Sequence, residues 1–209
     1  MRIDELKYRV RAKIDELGSN DSDMMDIDRD NKELDEIIRN SVTDALRYLL
    51  MQVDGDMIEG VPCETDVTVD DKGVGTVRLP DDCLRVLNIR LKSWNSGVSS
   101  IISENSPIYS MQQDKYSRGV PERPIAALVK RKDGRYIELY STENKDDELV
   151  SFNYLRVPQI ERNTIGDEMI YVPSVLEDAV VSYIAGLTAI SYKDFDLGER
   201  LISLSKEMI

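Results

Sequence analysis

Residues 173–190 read PSVLEDAVVSYIAGLTAI. Leu176, Val180, Tyr183, Leu187 and Ile190 recur at steps of three and four, which places them in one stripe on an α-helix. Ala179, Ala185, Gly186 and Ala189 keep part of the remaining surface small, so a neighbouring helix can approach closely. Pro173 opens the segment, and Ser174 with Glu177 has the spacing of a capping box. Val181 and Ile184 broaden the stripe. Val180, Val181 and Ile184 are therefore candidates for a contact with a second subunit as well as for packing inside the chain. Phe195, Leu201, Leu204 and Met208 predict a last short helix after a turn at 192–194.

A helical pair like this cannot bury its apolar surface alone, and the other end of the chain offers a complement. Ile3, Leu6, Val10, Ile14 and Leu17 predict an amphipathic first helix stopped by Gly18. Residues 19–30 (SNDSDMMDIDRD) read as an acidic connector. Asp30 and Glu33 then mark the start of a second helix lined by Leu34, Ile38, Ala45, Leu46 and Leu49. Between the two helical blocks the period drops to two. Residues 65–70 and 74–79 flank the turn Asp70-Asp71-Lys72-Gly73, and 125–131 and 135–141 flank Lys132-Asp133-Gly134. Leu87, Ile89 and Leu91 share one strand face. A strand at 149–157 alternates Phe152 and Tyr154 with Asn153 and Leu155, and a short helix is expected within 106–117. The expected fold is α+β: a small helical bundle formed by the N- and C-terminal helices (residues 1–60 and 166–209), with a central antiparallel β-rich insertion at 61–165.

Composition narrows the chemistry. The chain has 209 residues, with 40 acidic against 27 basic, a net charge of −13 and no histidine. Nucleic-acid binders cluster Lys and Arg against phosphate, so a chain this acidic is poorly suited to general nucleic-acid binding. Lack of histidine removes the commonest general base and the commonest zinc ligand. Cys63 and Cys83 are the only cysteines and have no Cys-x-x-Cys spacing, which predicts reduced thiols in a cytosolic compartment. The N-terminus has no signal-peptide apolar region, and the apolar run at 179–190 is shorter than the roughly twenty residues a bilayer requires. A soluble intracellular product with no membrane partner is the expectation.

Several fragments imitate functional motifs. Asp26, Asp28 and Asp30 fit the first ligand positions of a calcium loop, but Asn31 replaces the turn glycine and Ile37 the bidentate Glu, so no metal site is expected. Gly73-Val74-Gly75 is followed by a strand instead of a helix, which removes the dinucleotide reading. The pairs Asp81-Asp82 and Asp146-Asp147 are adjacent in turns, where carboxylates splay apart and cannot face each other across a cleft. They read as turn formers and solubilising charge. Lys130, Arg131 and Lys132 with Arg135 form the one dense basic cluster, placed at a hairpin tip, and are candidates for a subunit or partner contact. No catalytic residue and no cofactor are expected.

Taken together, these segments resemble the head-to-tail adaptor (connector) proteins of tailed bacteriophages, including the tail tubular A type. The second-helix pattern of that family is matched by Glu33-Leu34, Ile37-Ile38, Ala45 and Leu46-Arg47-Tyr48-Leu49. Its "L-P-x-D" segment is matched by Leu79-Pro80-Asp81-Asp82-Cys83-Leu84-Arg85-Val86, its strand ending in Trp by LNIRLKSW through Trp94, and its Pro-rich loop by Pro121 and Pro124. Its final capped helical hairpin is matched from Val172-Pro173-Ser174 through Glu177. Residues 24–27 depart from it, where the family often carries an aromatic. The resemblance implies a non-enzymatic virion protein forming a homo-oligomeric ring, commonly of twelve subunits. The ring would sit between the portal protein and the next tail component, with double-stranded DNA passing through its lumen unbound. Rival expectations are another tail or baseplate ring component, an acidic inhibitor or DNA mimic, and a small carboxylate hydrolase.

Overall fold

In the computed structural model, residues 1–17, 27–142 and 145–209 are described, and the chain divides into two units. The expectations placed on Gly18, on the connector as far as residue 26, on residues 24–26 and on Asp26 lie outside the described residues. So do those resting on the side chains of Asp28, Asp30 and Asn31.

Met1–Glu59 and Pro158–Ile209 make a helical unit. Its first helix, α1 (Ile3–Leu17), buries Ile3, Leu6 and Val10. The second, α2 (Ile27–Gln52), buries Ile38, Val42, Ala45, Leu46, Leu49 and Leu50. Helix α2 begins at Ile27, so the backbone of Asp30 lies within the helix and not at its start.

Gly60–Val157 form a β unit of two sheets. In chain order its elements are β1 (Val61–Pro62), β2 (Thr68–Val69), β3 (Val74–Arg78), β4 (Cys83–Leu91), β5 (Ile102–Ser103), α3 (Pro107–Met111), β6 (Ile125–Arg131), β7 (Gly134–Tyr140) and β8 (Leu149–Arg156). One sheet runs β1-β8-β4 and the other β2-β3-β7-β6-β5. All pairs are antiparallel except β5 with β6, which is parallel, so the insertion departs from the purely antiparallel expectation at that edge. The two sheets share one core. Val77, Ala126, Ile137 and Leu139 from the five-stranded sheet meet Ile89, Leu91, Phe152 and Tyr154 from the other, around Trp94. The Trp94 indole N–H donates to the Ser141 carbonyl at 3.1 Å, so this large side chain is buried with its polar atom satisfied.

The turn between β2 and β3 forms as its sequence requires. The Asp70 carboxylate accepts from the backbone N–H of Lys72 and Val74, and Gly73 takes φ 73°, a region costly for side chains bearing Cβ. Strand β4 shifts register between Val86 and Asn88, which leaves Leu87 only half-buried beside fully buried Ile89 and Leu91. On β8, Leu155 is buried although strict alternation with Phe152 and Tyr154 would turn it outward. A register shift between Cys83 and Arg85 lies opposite it.

The chain then returns to the helical unit through β9 (Glu161–Arg162) and β10 (Glu168–Met169), followed by α4 (Glu177–Ser191) and α5 (Phe195–Glu207). A 3-10 turn at Ser174–Leu176 precedes α4, and neither the turn nor the helix has a side-chain cap, so the Ser174–Glu177 box does not form. Helix α4 packs against α1, α2 and α5. Val180, Val181 and Ile184 are therefore interior residues of this bundle, and the subunit contact expected of them is corrected: a helix apolar on all sides is surrounded. Ser174–Ser191 is long and apolar enough to cross a bilayer by length and composition, longer than the apolar run at 179–190, and 56% of it is buried.

Candidate functional site

The basic run at the tip of the β6–β7 hairpin is divided by the alternation of its strands. Lys130 pairs with Arg135 on one face, and Arg131 pairs with Gly134 on the other. Arg135 donates to the Cys83 carbonyl at 2.6 Å, tying the hairpin to the start of β4. It is a structural tie and not a free docking cation, which corrects its place among the contact candidates. The neighbouring Cys83 thiol is pushed up to about 11, chiefly by burial and against the pull of Arg135. The Cys63 thiol is raised in the same way, so both free cysteines are held neutral as small apolar groups.

Arg131 faces outward, on the side of the five-stranded sheet away from the shared core. Its guanidinium lies 4.6 Å from the centre of the Tyr136 ring and 3.1 Å from Glu138 Oε1. Arg78, at the end of β3, pairs in register with Tyr136, is exposed, and donates to the Asp133 carbonyl at 3.3 Å. Lys130 and Lys132 are exposed and make no ion pair among the described residues. The Tyr136 hydroxyl donates to Asp133 Oδ2 at 2.6 Å and holds that carboxyl below its usual range. This outer face thus presents an aromatic ring flanked by guanidinium groups, with two carboxylates interleaved.

The other half of the face is covered by α3. Ser106 caps this short helix by accepting from the Ile108 N–H, and Pro107 opens it. Tyr109 and Tyr140 both donate their hydroxyls to Glu138 Oε2, at 3.0 and 2.7 Å, and their rings meet edge to face. Burial first, and the bond to Glu138 second, raise both phenols above their ordinary value. Buried Gln112 holds the following loop through the Ile108 carbonyl and the Gly119 N–H. With the segment anchored in this way, Ile108, Met111, Tyr116 and Val120 remain exposed.

No protein-family model matches the sequence, and no curated protein matches it.

The remaining motif candidates resolve into structural roles. Asp82 accepts from Tyr154 and from Arg156 Nε at 2.8 Å, fastening the β4–β8 edge. Asp147 is buried, accepting from the Ser93 hydroxyl and the Glu148 N–H, so it is a turn former but not a solubilising charge. Gly73-Val74-Gly75 runs from a turn into β3. Among the described residues, no group of three or more Cys, Asp or Glu side chains is placed to hold a metal ion. In the helical unit, Ile14, Leu34, Ala189 and Leu197 wall a groove of about 410 Å³ whose Arg11 is paired to Asp35 at 2.6 Å.

Arg78, Tyr136, Tyr109 and Glu138 escaped the sequence reading. Each sits on an ordinary alternating strand or, for Tyr109, in the short helix α3, and only the register of β3 with β7 and the return of α3 bring them together. The signal was present in the Lys-Arg-Lys run, but its outward half could not be separated from Arg135 without strand pairing.

Proposed function

We propose that this chain is a virion structural protein of a tailed bacteriophage, one subunit of an adaptor ring between the portal and the tail through which the genome passes. The observation that carries the proposal is that both chain ends build one helical unit while the middle forms a separate two-sheet unit of different surface chemistry. A closed ring needs a head-to-tail contact, hence two unlike patches on every subunit. The two units differ in the required way. The helical unit carries 25 acidic and 13 basic residues, while the β unit carries 15 and 14. An acidic ring wall would also repel phosphate and let a duplex slide past. The layout and short motifs shared with head-to-tail adaptors point the same way.

Symmetric electron-microscopy averages of the neck of purified particles test the reading. Ring density of this chain directly beneath the portal is expected. Density lower in the tail stack would favour another ring component. Absence of the chain from mature particles would overturn the proposal, and recovery with a single basic host protein would point to an acidic inhibitor.

A further inference from the structure

We infer that the outer face of the five-stranded sheet, around Arg78, Arg131 and Tyr136 and with Lys132 exposed in the adjoining hairpin turn, docks on the acidic α4–α5 corner of a second copy of this chain. The inference deepens the ring reading and rests on it, by naming the two patches that meet. The corner is formed by Lys193, which takes φ 67°, and by Asp194, whose carboxylate caps α5 through the Leu197 N–H at 3.1 Å. This sharp, capped turn holds Phe195 58% exposed, with Asp196 and Glu199 exposed on the same short stretch of helix and the cations Lys193 and Arg200 exposed at its two ends, leaving the corner acidic by one charge. An aromatic ring flanked by carboxylates is the chemical inverse of the sheet face, where an aromatic ring is flanked by guanidinium groups. Guanidinium over Phe195 and carboxylate against Lys132 or Arg78 would satisfy both surfaces at once.

Duplex DNA suits the sheet face less well. Asp133 and Glu138 are interleaved among its cations, and a phosphate lying on Arg131 would meet both carboxylates. A protein surface can place its own charges between them, which a uniform phosphate backbone cannot. The contact is also directional. The sheet face belongs to the β unit and the corner to the helical unit, so the contact joins two unlike patches, as the heterologous contacts of a ring do.

The test is sedimentation velocity of the full chain at low salt, with two charge-reversed variants, R78E/K132E and D196K/E199K. These positions leave intact the Arg131–Glu138 pair and the Asp194 cap, and a retained cooperative melting transition verifies the fold. The wild-type chain is expected to self-associate, and each variant alone to associate at least about tenfold more weakly. Mixing the two variants should restore both contacts, because each variant's sheet face then matches the other's corner, and alternating assemblies should grow as the wild type does. The fourfold variant carrying both reversals should recover growth. Self-association unchanged in both variants would overturn the inference and leave the ring reading standing. A wild-type chain that stays monomeric at its highest soluble concentration would also overturn it, while the ring reading would still be decided by particle averages. Loss of duplex retention in R78E/K132E without any change in association would overturn it in favour of a DNA contact.

Discussion

Arg135 shows how one side chain can be mistaken for surface charge. It lies in a run of exposed cations, yet its guanidinium closes the end of the β unit by donating to the Cys83 carbonyl at 2.6 Å. Arg135→Ala should lower stability by about 1–3 kcal/mol, the range for a charged donor removed from a partly buried carbonyl, read as a shift in urea midpoint. Arg135→Lys should recover only part of this loss, because an ammonium lacks the planar fork. Tyr140 makes a second prediction. Its phenol is raised by burial and by Glu138, so the folded state favours the neutral form. The associated stability is complete below the unfolded value near pH 10 and falls as pH rises from there toward the folded value. Denaturation midpoints should therefore drop at alkaline pH, and Tyr140→Phe should flatten that drop. Glu168 has the opposite sign. Its carboxyl is lowered, chiefly by the hydrogen bond from Arg39, which reaches it through Nε and Nη2 at 2.7 and 2.8 Å. Its contribution is present above the unfolded carboxylate value and is lost as pH falls through the folded one. Glu168→Gln should make the acid limb shallower.

Among the elements, α4 and α5 carry the closest approach. A Cβ added at Gly186 would lie 2.8 Å from the Gly198 carbonyl oxygen and 2.7 Å from Ile202 Cγ1, and one added at Gly198 would lie 2.9 Å from the Gly186 carbonyl. The two glycines cross over each other, and the Ser205 hydroxyl adds a bond to the Ala179 carbonyl at 2.7 Å nearby. Gly186→Ala should destabilise by about 1–3 kcal/mol through overpacking against backbone, outweighing the roughly 1 kcal/mol that alanine gains in helix propensity. Thermal unfolding of the variant checks the sign. This crossing was legible in the sequence, since small residues along one helix imply a near neighbour, and so was the α+β layout, because periods of two and of 3.6 differ over many residues. Both hairpins were legible too, through Asp70 to Gly73 and Lys132 to Gly134. The sheet orders were not: β8 lies between β1 and β4, contacts separated by long stretches that no local pattern records. The outward cation–aromatic face was hidden for the same reason, since Arg78 and Tyr136 become neighbours only once β3 and β7 are in register. The role of Val180, Val181 and Ile184 was misread because a broad apolar stripe looks the same whether its cover comes from the same chain or another.

Across the whole molecule, charge is distributed unevenly, with nearly all of the net −13 carried by the helical unit. Contact between that surface and cations of another copy should be screened by salt, so self-association should weaken as ionic strength rises through the range where the Debye length falls to about 10 Å. Light scattering across a sodium chloride series tests this, and association that strengthens with salt would indicate an apolar contact instead. Chain ends far apart in sequence also meet: the Met1 amine donates to the Ile170 carbonyl at 2.9 Å, and Arg9 reaches Glu177 and Asp178. The helical unit therefore needs both of its segments, residues 1–59 and 158–209, before it can close. The β unit, by contrast, opens and closes on paired strands, with Val61 opposite Tyr154. Its entrance and exit run side by side like the two legs of a staple, so whatever lies between them can be lengthened, trimmed or exchanged without respacing the helices.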